Sequence, residues 1–205
     1  AAVIVAAAPP VENGQAPDRE LLLAVPTDLP GIAVPDPLPL VALTASSTGP
    51  VEFHGVDVPR DCLVAGPAAA VMATGLGGST GGYETTALAL GLAQAAIEFL
   101  AKENAKRPDL AAPHNALAEE HSQLVDDLLS VVRGESRCTK ESIRQRANTF
   151  VLRATQAALS AAKGTGYVAG HPAGRWCREA LFFLVWSCPQ PVAAANLCEL
   201  AGIAE

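Results

Sequence analysis

The spacing of apolar residues changes character once along this chain. Before residue 65 the apolar runs are short: "AVIVAAA" (2–8), "ELLLAVP" (20–26), "GIAVP" (31–35) and "VEFHGVDVP" (51–59), separated by Pro, Gly, Asn and Asp. Runs of that kind predict strands. Pro9, Pro10, Pro17, Pro26, Pro30, Pro35, Pro37 and Pro39 lack the amide donor of a central strand, so the strands are expected to be short and several to lie at a sheet edge. After "VAGP" (64–67) the period lengthens to that of helices. One long helix is predicted from Tyr83 to Arg107, ended by "RPDLAAP". A second runs from about His114 to Arg133, with Leu117, His121, Leu124, Leu128 and Val131 or Val132 on one stripe. Thr139 is the expected N-cap of a third, which carries Ile143, Ala147, Phe150, Ala154, Ala157 and Ala161 to the breaker "KGTG". A fourth covers "AGRWCREALFFLVW" and a short last one "VAAANLCELA". Residues 83–165 should thus form three long antiparallel helices. Strands followed by such helices predict an α+β, mostly α fold: a partial antiparallel β domain at 1–65 and a helical bundle at 66–205.

Composition adds that the helices pack through small side chains. Half of the 205 residues are apolar, chiefly Ala, Leu and Val, and only 4% are aromatic. The net charge of -7 opposes a nucleic-acid or anionic-membrane surface. "EALFFLVWSC" is too short to span a bilayer, and "AAVIVAAAPP" lacks the basic region of a signal peptide. Cys62, Cys138, Cys177, Cys188 and Cys198 form no C-x-x-C pair and read as reduced thiols in a cytoplasmic protein. Cys188 has no histidine or cation near it in sequence and reads as an ordinary thiol. His54, His114, His121 and His171 are too scattered for a metal site. His121 and His171 read as surface or rim residues and His54 as part of a strand turn, while Trp176 and Trp186 are expected to pack the bundle. The chain opens without Met inside an apparent strand, so a further portion is expected upstream.

Candidate chemistry begins at "GGSTG" (77–81), which satisfies the G-x-S-x-G pattern of a nucleophile elbow around Ser79. An elbow needs a parallel sheet and further βα units to bring in an acid and a histidine. Everything after Tyr83 reads as helix, which denies a serine hydrolase its framework. A phosphate cradle lacks its Walker lysine. A glycine-rich entry into the first helix fits the organisation better.

From "LLLAVPTDLPGIAV" onward, about residues 21–205, the chain resembles the acyl-CoA dehydrogenase family. The resemblance rests on "GPVEFHGVDVPRDCLV", "GLAQAAIEFLAKENAKR", "PHNALAEEHSQLVDDLL" and "KGTGYVAGHPAGRWCREALFFLVW". From Gly164 to Ser187 the family pattern lies on without a gap: Gly164, Gly166, Tyr167, Pro172, Arg178, Glu179-Ala180 and Trp186. It implies the end of the family's middle β domain followed by its C-terminal four-helix bundle, with the N-terminal helical domain and leading strands missing from this stretch.

What the resemblance implies for chemistry is a flavoprotein oxidoreductase of fatty acid metabolism that binds FAD and an acyl-CoA and forms homo-oligomers. A carboxylate takes the α proton of the acyl thioester while the flavin takes the β hydride. Most members place that base after the aromatic residue equivalent to Trp186, where this chain has Ser187. A minority place it at the start of the first bundle helix, where this chain has Gly81. Ser79 and Gly82 stand where members keep an acid and an Arg that grip substrate and CoA, and Glu84 is the one nearby carboxylate able to substitute. Its alternative reading is an acid placed to suit the helix dipole. Arg107 matches the Arg of R-x-x-F-G, which reaches the FAD pyrophosphate across a subunit boundary. Asn115 matches a flavin-binding Gln, and Gly164 and Gly166 match glycines of G-G-x-G that approach the cofactor. Arg107 as a helix C-terminal cation and Gly164 as a C-cap are the competing structural roles. The expectation is impaired chemistry, with a catalytically silent subunit or scaffold of the same fold as the alternative.

Overall fold

The strand-forming runs pair into two small antiparallel sheets. In the computed structural model, residues 1–8, 19–40, 43–74, 82–135, 137–186 and 188–203 are described. Five strands occur among them: β1 (Ala2–Ala7), β2 (Glu20–Pro26), β3 (Ile32–Ala33), β4 (Glu52–Phe53) and β5 (Leu63–Ala68). One sheet has the order β1-β2-β5 and the other pairs β3 with β4. Strand β1 runs from Ala2 opposite Pro26 to Ala7 opposite Leu21 and alternates between exposed and half-buried residues, the period-two pattern of an edge strand. Strand β2 is central and buries Leu22 and Val25. The Glu20 carboxylate accepts a 2.7 Å hydrogen bond from the Val71 amide, tying the start of β2 to the 3-10 turn Val71–Thr74.

"LVAGPA" (63–68), which is not among the runs expected as strands, forms β5. The β2–β5 register shifts twice between Glu20 and Leu23, and Gly66 (φ 104°) comes so close to the Glu20 carbonyl that a Cβ there would collide with it. The glycine is required by that close approach. The chain divides into two compact units, Ala1–Ser79 and Thr80–Glu205, and β5 runs across the boundary expected after residue 65.

The second unit consists of α1 (Tyr83–Asn104), α2 (Ala111–Val132), α3 (Lys140–Ala162), α4 (Pro172–Ala180), α5 (Phe182–Val185) and α6 (Gln190–Leu200). Side-chain pairs fix their directions. Lys140 Nζ lies 5.5 Å from the Tyr83 ring at the start of α1 and α3, and Arg107 donates to the Ala161 carbonyl beyond their far ends. Arg146–Asp127 and Arg153–Glu120 pair α3 with α2 in the opposite sense. α2 is therefore antiparallel to both α1 and α3, which run the same way, as two reversals demand. No described helix is long and apolar enough to cross a membrane.

Local signals account for the helix ends. Thr139 Oγ1 accepts from the Ser142 amide at 3.1 Å, the N-cap expected there. His171 caps α4, its Nδ1 accepting from the Ala173 amide at 3.3 Å with Pro172 at the first helical position. The single fourth helix expected from the sequence is instead two, broken at Leu181, and Trp186 turns extended (ψ 130°) ahead of "CP".

Twelve of the 23 residues of α3 are buried, including residues on opposite sides of its axis, which makes it the central helix. Its Ala147, Phe150, Val151, Ala154 and Ala158 share one core with Ala89, Ala93, Ala96 and Ile97 of α1 and Leu117, Leu124 and Leu128 of α2. Ala154 is fully buried and Gln156 exposed. Ala154→Leu, which overfills that seam, is expected to lower stability by about 1–3 kcal/mol, and Gln156→Ala to change it by no more than about 0.5 kcal/mol. Urea unfolding followed by circular dichroism measures both.

Candidate functional site

Those of the residues singled out in the sequence that are described separate to opposite ends of the bundle. Ser79, Gly81 and Ser187, the elbow serine and the two usual base positions, lie outside the described residues. Gly82 is the N-cap of α1 and offers no side chain to its orphan amides. Glu84 lies exposed in the first turn, its carboxylate folded back against Gly82 so closely that a Cβ on Gly82 would meet it. A negative charge there is favoured by the helix dipole.

At the far end stand Arg107, Asn115, Gly164 and Gly166. Arg107 Nη2 donates to the Ala161 carbonyl at 2.6 Å, a helix-end acceptor left open by the termination of α3, and to Glu103 at 3.3 Å. It thereby clamps the ends of α1 and α3, the cation-at-C-terminus role. Among the described residues its Nε is buried without a partner, and no hydrogen bond involves Nη1. Asn115 is exposed in the second turn of α2, its Oδ1 3.0 Å from His114 Nδ1. Gly164 is open: a Cβ would meet nothing within 4 Å. Gly166 is buried against Leu159 and Ala162, and its carbonyl approaches Gly174 too closely for a Cβ at position 174. The two glycines let the start of α4 pack on the turn Lys163–Tyr167. A 22-residue α1 separates Glu84 from Arg107 by roughly 30 Å, so one chain does not bring both to one reacting centre.

The histidines and tryptophans divide. His121 is half-buried, with Nε2 3.1 Å from the Leu90 carbonyl and hence carrying the proton. Trp176 packs edge-on to Phe99 beside the core, as expected. Trp186 is instead 45% exposed and stacks only on Phe182. It lies at the extended end of α5, where the helical face that would have buried it has ceased. No group of three or more His, Cys, Asp or Glu suited to a metal occurs among the described residues. In the first unit a pocket of about 330 Å³ over Pro37, Leu38, Pro39, Leu40, Thr44, Ser46 and Ser47 contains no ionisable side chain.

One polar cluster escaped the sequence reading. Arg144 and Asn148 are buried one turn apart on α3; Arg144 Nε donates to Asn148 Oδ1 at 3.0 Å, and Asn148 Nδ2 donates to the Phe183 carbonyl at 2.9 Å. Cys188 Sγ lies 4.0 Å from the same amide nitrogen. The thiol that looked isolated in sequence therefore sits beside a cation 44 positions away. Burial lowers the pKa of the Arg144 guanidinium, and the neighbouring Cys188 opposes that change. Burial pushes the Cys188 thiol up, with Arg144 pulling the other way. Burial raises Cys177 too, against the pull of the Thr155 side chain and of Arg178.

Two measurements follow from this geometry. Arg107→Met should cost about 1–3 kcal/mol through the lost charge-assisted bonds, read by urea unfolding. Because the folded state holds Cys177 and Cys188 protonated beyond the usual thiol range, their alkylation by iodoacetamide at neutral pH should be slower in the native chain than in the urea-unfolded one. The difference should shrink as pH rises through the raised values.

No protein-family model matches the sequence, and none of the curated proteins does. Solved structures do match. Butyryl-CoA dehydrogenase from Megasphaera elsdenii superposes with a TM-score of 0.74 at 16% identity, over 97% of this chain and 55% of that one. A glutaryl-coenzyme A dehydrogenase in its glutaryl-CoA complex gives 0.73 at 16% identity, over 99% and 55%. The acyl-CoA dehydrogenase from Slackia heliotrinireducens gives 0.71 at 17%, over 99% and 58%. The chain spans little more than half the length of these proteins. Its fold, a small antiparallel β part followed by a helical bundle, is that of the acyl-CoA dehydrogenases to which the sequence bears its resemblance.

Proposed function

We propose that this chain is the C-terminal portion of an acyl-CoA dehydrogenase-like flavoprotein, an oxidoreductase of acyl thioesters, and that it lacks the usual catalytic base. The observation that carries this reading is the fold similarity over nearly the whole chain, with Arg107 and two glycines kept at one end of the bundle. The residues present fit FAD in part. Arg107 offers an Nη1 without a hydrogen bond to an anionic group, and Gly164 offers backbone that no side chain screens. Asn115 is exposed and Gly166 shapes the turn that presents Gly164. In this reading Arg107, Asn115, Gly164 and Gly166 are the cofactor-binding residues. When bound, FAD supplies the acceptor for a hydride from Cβ of the acyl thioester.

The chain's own residues then have to hold the thioester and remove its α proton. A general base contributes about two to four orders of magnitude and needs a pKa near the working pH. Ser187 and Gly81 supply no carboxylate at the two usual positions, and an unassisted serine hydroxyl does not ionise near neutrality. Ser79 and Gly82 supply neither the acid nor the Arg that would orient substrate and CoA, a positioning loss comparable in size. Glu84 is the one acid near that entry, and it lies exposed in the first turn of α1.

A second reading, a catalytically silent subunit of an oligomer, draws on the apolar surface of the last helices. Leu181, Val185 and Trp186 are 54%, 79% and 45% exposed, and Leu197 and Leu200 are exposed as well. Exposed apolar side chains in that number on neighbouring short helices favour burial against another subunit. The protein is expected to self-associate at micromolar concentration in sedimentation experiments; a monomer there counts against both the covered surface and the cross-subunit role of Arg107.

Fluorescence titration with FAD, followed by dye-linked turnover of an acyl-CoA series, tests the main reading. The chain alone is expected to bind FAD weakly or not at all and to turn over no acyl-CoA; turnover by it would refute the missing base. A longer polypeptide that adds the preceding helical and β portions is expected to bind FAD. If that protein turns over substrate and loses the activity in Glu84→Gln, the carboxylate has been supplied from Glu84.

A further inference from the structure

The stripe of α3 that bears Arg144 leaves a buried charge unanswered. Arg144 is 1% exposed, and neither Nη1 nor Nη2 has a hydrogen-bond partner among the described residues. None of the ion pairs among the described residues includes it. A buried cation without an anion is strongly destabilising, and a planar fork with two free ends is shaped for two oxygens of one anion. The ionisable group that acts on it is the Cys188 thiol, which Asn148 links to the same network. Both Nη atoms are closed off from solvent, whereas Cys188 is only half-buried. An anion formed on Cys188 itself would already be in place.

We propose that Cys188 is an oxidation site whose sulfinate is held by Arg144 and Asn148. The oxidant is a hydroperoxide. The Cys188 thiol gives up its proton, and the thiolate sulfur attacks one peroxide oxygen. The O–O bond breaks, an S–O bond forms, and the departing oxygen takes the released proton, leaving as water or an alcohol. A second peroxide repeats this on the sulfenate and leaves two oxygens sharing one negative charge. Those oxygens accept from Arg144 Nη1 and Nη2, and the Asn148 amide is the next donor. The sulfinate is ionised throughout the ordinary pH range, so it supplies the counter-charge that the neutral thiol lacks. At Cys177 the Sγ instead donates to the Thr155 carbonyl at 3.2 Å, an acceptor that repels an oxyanion. This inference does not depend on flavin binding.

Hydrogen peroxide treatment of the intact chain, with each cysteine followed by peptide mass spectrometry, tests it. Arg144→Met keeps a long side chain and removes the charge; it should reduce formation of Cys188 sulfinate by about tenfold or more, the scale of a charge-assisted hydrogen bond. The other four cysteines should be unaffected. A second comparison stands if Arg144→Met fails to fold. Cys188→Asp, which places a permanent carboxylate at the site, should unfold at a higher temperature than Cys188→Ser. Equal Cys188 oxidation with and without Arg144, or a Cys188→Asp variant no more stable than Cys188→Ser, overturns the proposal. So does inorganic phosphate at constant ionic strength stabilising the reduced protein but not Arg144→Met, since the guanidinium would then take a free anion.

Discussion

The close approach of α1 and α3 is the constraint from which the rest of the bundle follows. Ala89, Ala93 and Ala96 on one helix and Ala147, Ala154 and Ala158 on the other are fully buried in one core, and side chains this small let two backbones approach closely. The approach fixes both helices in the same direction, so α2 must return between them with its Leu117, Leu124 and Leu128 facing the shared seam. It also makes α3 the helix that every other packs against. Once α3 is enclosed by α1 and α2 on one side and α4 to α6 on the other, its second stripe, with Arg144, Asn148 and Thr155, is buried whether polar or not.

That enclosure decides where several of the buried polar groups find their partners. Thr155 returns its hydroxyl to its own helix at the Val151 carbonyl, 2.8 Å away. Asn148 serves Arg144 and Phe183 at once. Arg107, which leaves α1 just as α3 ends, uses the Ala161 carbonyl that the helix no longer engages. Arg107 thus closes the end of its own bundle. Glu84 and Arg107 belong to opposite ends of α1, and an account that gives both a role at one reacting centre requires residues from a second chain.

Much of this architecture was legible in the sequence because its signals were local. The three-four spacing of Ile143, Ala147, Phe150, Ala154 and Ala161, the Thr139 cap and the Pro172 start each carry their own physical cause. Strand β5 was hidden because its run is short and carries Gly66 and Pro67; only the partner strand shows that the glycine serves a close approach. Arg144 was hidden for a related reason. Charged residues on a helix ordinarily mark its solvent face, and no feature within α3 signals that α4 to α6 will cover that face. Cys188 and Arg144 are far apart in sequence, so their meeting is a property of the packing. On the chemical side, the absence of a carboxylate at positions 81 and 187 could be read directly, as residue identity needs no coordinates.

The central claim is that the framework of the dehydrogenase bundle is kept while its proton-abstracting group is not. Exchange of the α hydrogens of an acyl-CoA with deuterated water reports on that group alone, whatever happens to the hydride. The measurement is mass spectrometry of acyl-CoA recovered after incubation with the protein and FAD. The account predicts no deuterium beyond the buffer control. Incorporation at the α carbon that grows with protein concentration would contradict it.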